Sequence, residues 1–317
     1  MKHLLTTTLL LFATSSTHAQ FYILPDGAPL LLNPALTGMH NGTLRINTLY
    51  NPYPYGFNHK WRGITSTTSA DYRTKSWGQG RQHAGIGIQY QFIGSTDYPM
   101  YNYTGKLFAA WHLRSKSSNR QLSAGLEFGF EQNQTTVSSY NSSATYPEGQ
   151  KAHIYVRHLG AGLAYSQQLS SKVRFLAGIR SAIPRYASDA ETRYFTEGSH
   201  IHANHLALLG GEIDLSRKWT IRPSFTFQYS EPETHIAGGF DVRYQPQKTA
   251  YFAGLWSQYL QNMGISAGAA RNQWRVLACY RMFIHDQPMH IHSYGLELSL
   301  QYVVKGNGRT TLPCIRY

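Results

Sequence analysis

Leu122-Ser123-Ala124-Gly125-Leu126-Glu127-Phe128-Gly129-Phe130-Glu131 decides the fold: Leu122, Ala124, Leu126, Phe128 and Phe130 share one phase, and Ser123, Gly125, Glu127, Gly129 and Glu131 the other. A strand sends successive side chains to opposite faces, so a period of two makes a ribbon with one apolar and one polar face. The pattern recurs along the chain. Ala84, Ile86, Ile88, Tyr90 and Phe92 alternate with Gly85, Gly87, Gln89 and Gln91. Trp219, Ile221, Pro223, Phe225, Phe227 and Tyr229 alternate with Thr220, Arg222, Ser224, Thr226 and Gln228. Tyr294, Leu296, Leu298, Leu300, Tyr302 and Val304 oppose Gly295, Glu297, Ser299 and Gln301. Helical spacing fits none of these runs.

Similar runs predict strands at 43–51, 64–73, 82–93, 102–114, 120–133, 152–168, 172–182, 203–216, 218–229, 234–246, 249–260, 262–269, 271–284 and 293–304. That is about fourteen, an even number as bacterial single-chain barrels have, and several are near the ten residues that cross a bilayer when tilted. Connections at 115–119 and 169–172 are short, whereas those at 134–151 and 183–202 are long and are expected on the exterior. A soluble β-sandwich would also alternate. Three features favour a membrane barrel instead: Tyr and Trp recur at strand ends, the apolar phase persists over nearly every strand, and charge recurs on the opposite phase. Closure would also remove the exposed edges of so large a sheet. The expected fold is therefore all-β, a transmembrane antiparallel β-barrel over 43–304.

The chain's ends fit that destination. Lys2, the apolar stretch Leu4 to Ala13, and Thr17-His18-Ala19 read as a signal peptide over 1–19, with the exported chain starting at Gln20. The expected remainder is a periplasmic N-terminal segment at 20–42 and a periplasmic tail at 305–317. No later window is long and apolar enough for a membrane helix.

On the polar phase lie Lys106, His112, Arg114, Glu127, Glu131, Arg174, Arg180, Glu212, Asp214, Arg222, Asp241, Arg243, Arg275, Arg281 and Glu297. Charge facing lipid is costly, so these are expected to point into the lumen, as barrel-filling pairs or as a selectivity filter. The formal charge of +13 raises the question of nucleic acid, but Lys and Arg are scattered singly through the strands, and an exported protein has no nucleic-acid partner to meet. Cys279 and Cys314 are too few for a disulfide framework or a Cys-rich zinc site; they stand as separate thiols or as a single pair.

Catalytic and metal signatures are weak. There is no Gly-x-Ser-x-Gly elbow and no His-Glu-x-x-His. His200-Ile-His202 with His205, and His290-Ile-His292, are the best metal candidates, read here as loop and interface histidines. No catalytic residue, cofactor or metal is expected.

Three further stretches are more specific than a barrel. Leu31-Leu32-Asn33-Pro34-Ala35-Leu36-Thr37-Gly38 resembles the Asn-Pro-Ala-Tyr-Ala-Gly element that opens exported PorP/SprF-family proteins of Bacteroidota. Lys60-Trp61-Arg62-Gly63, followed by Thr65 to Asp71, resembles that family's Gln-Trp-x-Gly segment, and Cys314-Ile315-Arg316-Tyr317 resembles its Cys-Pro-Arg-Phe end. Physically, Asn33-Pro34 suits a turn, Gly38 can take a positive φ, and Trp61 between two cations suits a membrane interface. Leu36, Thr37 and Ile315 depart from the family pattern. The resemblance implies an outer-membrane barrel of the type IX secretion and gliding system. It would work with secretion components or with a secreted surface protein, such as an adhesin, that carries a C-terminal sorting domain. Asn33, Pro34, Gly38, Trp61, Gly63, Cys314 and Arg316 are then the structural or docking residues. A passive diffusion channel is the alternative, and a barrel lipid hydrolase a third reading. Outer-membrane lipid is the expected surrounding.

Overall fold

The computed structural model describes residues 29–53, 63–95, 101–117, 119–136, 151–186, 203–230, 233–258, 262–285 and 290–304. They form fourteen strands: β1 Leu44–Tyr53, β2 Gly63–Arg73, β3 Gln82–Ser95, β4 Tyr101–Arg114, β5 Arg120–Thr136, β6 Lys151–Gln168, β7 Val173–Tyr186, β8 Asn204–Asp214, β9 Trp219–Ser230, β10 Glu233–Tyr244, β11 Thr249–Gln258, β12 Asn262–Arg271, β13 Trp274–His285 and β14 His290–Val304. Each pairs antiparallel with its sequence neighbours, and β1 closes on β14 from Leu44 opposite Val304 to Tyr50 opposite Leu298. Among the described residues no helix is long and apolar enough to cross a membrane.

The alternation sets which way each strand faces. Ile86, Leu126 and Leu159 are 59, 62 and 64% exposed, although they sit mid-strand with both ladders complete. An apolar belt this continuous far exceeds what a soluble monomer leaves open to water, and it fits a lipid-facing wall. Aromatic rings mark both rims of the belt. Trp219 packs on Tyr244 at 4.5 Å and Trp274 on Tyr302 at 4.4 Å near the short turns, and Phe92 meets Tyr103 at 5.2 Å near the other end. Two strand prolines sit where a missing N–H is tolerated. Pro184 lies beyond Ala182, where β7 stops pairing with β8, and Pro223 falls in a gap of the β8–β9 ladder.

Residues 29–42, the described part of the segment preceding the first strand, lie inside the barrel. Helix α1 (Pro29–Leu32) and a 3₁₀ turn (Pro34–Leu36) place Leu32, Ala35, Leu36 and Met39 against inward-facing Ala164, Leu176, Leu206 and Leu208. Those apolar side chains need a dry surface, and the lumenal wall of β6–β8 supplies one. A second apolar cluster, Ala250, Phe252, Trp256, Leu277 and Cys279, faces inward from β11 and β13, with Arg275 stacked 4.5 Å from the Phe252 ring centroid. Cys279 is a free, buried thiol.

Candidate functional site: the lumenal plug

The Asn33-Pro34 element expected to open the family is the point at which the inner segment is fastened. Asn33 caps the 3₁₀ turn, its Oδ1 accepting from Ala35 N at 2.9 Å. Its Nδ2 donates to the carbonyls of Leu163 and Ile179 on β6 and β7, both at 3.0 Å. Asparagine offers both a donor and an acceptor at one end, so this one side chain fastens the turn both to itself and to the wall. Pro34 at the first turn position fixes φ where no N–H partner is needed.

The wall is cut to receive this turn. A Cβ at Gly162 would collide with Asn33 Oδ1, one at Gly125 with the Pro34 carbonyl group, and one at Gly85 with the Thr37 carbonyl. At Gly178 it would come within 2.9 Å of Asn33 Nδ2. These four glycines lie on the lumenal phase of β3, β5, β6 and β7, so the close approach needs no side chain there. Gly38 adopts φ +73°, the left-handed turn expected of it, and its own approach to Gly85 leaves no room for a side chain.

From Gly38 the chain is held by a charged clasp. Asp71 on β2 accepts from Gly38 N at 2.6 Å and from Arg45 on β1 through Nε at 2.8 Å and Nη2 at 2.9 Å. Both partners have fully buried side chains. His112 on β4 bridges the other flank. Its Nε2 donates to the Thr37 carbonyl at 2.7 Å, which leaves Nδ1 to accept from the Ser123 hydroxyl at 2.7 Å. This Ser–His contact has the spacing of a nucleophile pair, but a backbone carbonyl occupies the place of the acid, and both side chains are sealed under the plug. Its chemistry here is fastening.

His40 is neutral by its contacts: Nδ1 accepts from Gly42 N at 3.2 Å, and Nε2 donates to the Asp71 carbonyl at 3.3 Å. Burial, then the Arg45 charge, push its imidazole down to about 4, while Asp71 opposes and Arg73 reinforces the shift. The unseated segment takes up a proton near the ordinary value of 6.5, and the seated one only near 4. The unseated state thus binds more protons below 6.5, so seating should weaken as pH falls from 6.5 toward 4 and hold steady above. Hydrogen exchange of residues 39–43 across that range is the check, and a His40→Gln variant should flatten the response.

The lumenal charges named from sequence form cross-strand pairs. Glu127 accepts from Arg180 at 2.6 Å and lies 3.7 Å from Lys106, and Arg180 also donates to the Leu31 carbonyl. Glu131 meets His158 at 2.7 Å, Arg174 meets Glu212 at 2.6 Å and Asp214 at 3.6 Å, Arg222 meets Asp241 at 2.7 Å, and Arg281 meets Glu297 at 2.7 Å. Arg243 donates to Gln245, while Arg114 and Arg275 also face inward. Glu127, Glu212 and Glu297 keep at most 1% exposure, each covered by the arginine it pairs with.

The named motif residues divide. Asn33, Pro34 and Gly38 come together in the plug, and Gly63 opens β2 opposite Tyr53 and Ser95. Trp61, Cys314 and Arg316 lie outside the described residues, as do His200 and His202. His205 faces outward on β8, stacked on Tyr229 at 6.4 Å. Among the described residues no group of three His, Cys, Asp or Glu side chains is arranged to hold a metal. Sequence reading passed over Arg45, Asp71, and the four wall glycines. One signal was present: Leu206-Ala207-Leu208-Leu209 is apolar on both phases, which a water-facing lumen would not require.

Comparison with known proteins supports the same architecture. The barrel is similar to the CymD monoaromatic hydrocarbon channel, with TM-score 0.54 and 9% identity over 90% of this chain and 95% of that one. It is similar to the Pseudomonas putida toluene transporter TodX at TM-score 0.52 and 10% identity, over 92% of this chain and 96% of that one. At such identities the likeness carries the fold alone. No curated protein sequence matches the chain. The profile described as type IX secretion system membrane protein PorP/SprF, however, matches residues 13–284, and the chain therefore belongs to the PorP/SprF family.

Proposed function

We propose that this chain is a non-enzymatic barrel of the type IX secretion and gliding system, supporting secretion or surface attachment of a partner protein with a C-terminal sorting domain. Family and fold together give an outer-membrane location. The observation that carries the reading is the occupied lumen: the segment at 29–42 packs against its wall, and the wall charges beside it are paired and buried. A barrel whose lumen holds such a segment offers rims and loops as a docking surface more readily than a conduit. Affinity purification of the tagged chain from its own cells is expected to enrich an exported protein with a sorting domain over an unrelated barrel control. Deleting the chain is expected to remove that protein from the cell surface. Normal surface display in the deletion strain, with impaired uptake of small solutes, would favour the diffusion channel instead.

A further inference from the structure

The charge of the molecule is divided between its ends. The six short connections, 74–81, 115–119, 169–172, 215–218, 245–248 and 272–273, hold seven Lys or Arg residues (two, one, one, two, one and none in that order) and no Asp or Glu. The seven connections at the opposite end, 54–62, 96–100, 137–150, 187–202, 231–232, 259–261 and 286–289, hold by sequence three Lys or Arg and seven Asp or Glu. Seven of the cations that look scattered along the chain thus come together at one rim, because every second strand end returns there. In bacterial barrels the short-turn rim faces the periplasm.

At one point this rim is shaped into a cavity. A cleft of about 440 Å³ opens between the β2–β3 turn, the β4–β5 turn and β6, and Arg81, Lys116 and Arg120 line it without any carboxylate; Arg114 borders it too, but its side chain lies on the lumenal phase of β4. Its floor is Leu113, Leu122 and Tyr165. Those three stand on the outward phase of β4, β5 and β6, so the cleft is on the membrane side of the rim and not in the lumen. Trp77, which donates through its indole N–H to Gln82 at 2.9 Å, places an interface aromatic beside it. The backbone that carries the cations is fixed. Arg114 N donates to the Arg81 carbonyl at 2.8 Å, Ser115 N donates to the Arg120 carbonyl at 2.9 Å, and Arg120 N donates to Ser115 Oγ at 3.3 Å.

We propose that this cleft binds the phosphate of an anionic phospholipid in the leaflet at the short-turn rim. Converging guanidinium groups match phosphate oxygens, and each basic residue at a membrane surface draws anionic lipid. The acyl chains would run along Leu113 and Leu122. That apolar floor distinguishes a lipid from an acidic protein segment, which would lay charged side chains over the leucines.

The test uses the full chain in phosphatidylcholine nanodiscs containing a minority of phosphatidylglycerol, with retained lipid counted by native mass spectrometry. The triple variant Arg81→Gln, Lys116→Gln, Arg120→Gln should retain about tenfold less phosphatidylglycerol, with an unchanged circular dichroism spectrum. The variant Arg217→Gln, Lys218→Gln, Lys248→Gln removes the same charge elsewhere on the rim and should lose far less phosphatidylglycerol than the first triple. Equal loss in both triples would overturn the site in favour of a diffuse field. Displacement by inorganic phosphate at the concentration at which phosphatidylglycerol saturates would overturn the lipid assignment, as would displacement by an acidic peptide that leaves other lipid contacts intact.

Discussion

Gly162→Ala should unseat the lumenal plug while leaving the barrel closed. The added methyl points into the lumen at Asn33 Oδ1, and relieving that collision requires the Asn33 side chain to leave its three hydrogen bonds, to Ala35, Leu163 and Ile179. Leaving buried donors and acceptors unmatched costs about 1 kcal/mol or more each, so plug opening should rise roughly a hundredfold. Hydrogen exchange over residues 30–40 should accelerate by that factor, and current steps should appear in planar bilayers where the wild type is quiet. Gly295→Ala is the control, because a Cβ there meets its nearest neighbour, Arg281, at 3.6 Å. The two effects at the Asn33 contact should not add. In an Asn33→Ala background the Gly162→Ala change should cost far less, since both act on one contact. Full additivity would mean that Asn33 and Gly162 act independently.

The second large effect is expected at Asp71. Its carboxylate joins the first two strands to the plug, taking hydrogen bonds from Arg45 and from Gly38 N where water does not reach. Removing one partner of a buried pair strands the other charge, at a cost of about 3–5 kcal/mol. Asp71→Ala should therefore lower the denaturant midpoint for unfolding in detergent micelles and free residues 36–43 to exchange. Replacing both partners together, Arg45→Met with Asp71→Leu, should recover most of the stability but not the Gly38 contact. A single Asp71→Ala variant as stable as wild type would show that the clasp contributes nothing.

The fold was legible because a membrane barrel writes one rule on every strand. Alternation such as that at 84–92, 122–131 and 219–229 set the facing, the count of similar runs set the number, and all fourteen strands appear at the expected places. Boundaries drifted where a second rule intervened: β7 continues past Pro184 to Tyr186 because only β6 pairs with it there. The plug was legible in part. Asn33, Pro34 and Gly38 stood out as a motif, yet nothing local says that Asn33 meets carbonyls 130 and 146 residues further along the chain. The wall glycines were masked by their own phase, since Gly85 and Gly125 read as neutral members of a polar face. Arg45 and Asp71 each look like a single strand charge, and only the pairing of β1 with β2 makes them a clasp. The rim charge was hidden for a related reason, because turns far apart in sequence become neighbours only when the sheet closes.

The central claim is that the Asn33–Gly38 element is seated inside the lumen against the barrel wall, and labelling of a cysteine placed within it tests this most directly. Ala35 has no exposed surface, whereas Ser117 stands open on a short turn. With Cys279→Ser and Cys314→Ser as background, Ala35→Cys in intact liposomes or micelles should resist a hydrophilic maleimide that labels Ser117→Cys within minutes, and should become reactive when Gly162→Ala is added. Labelling of Ala35→Cys at the rate of Ser117→Cys in the otherwise unaltered barrel would contradict the account.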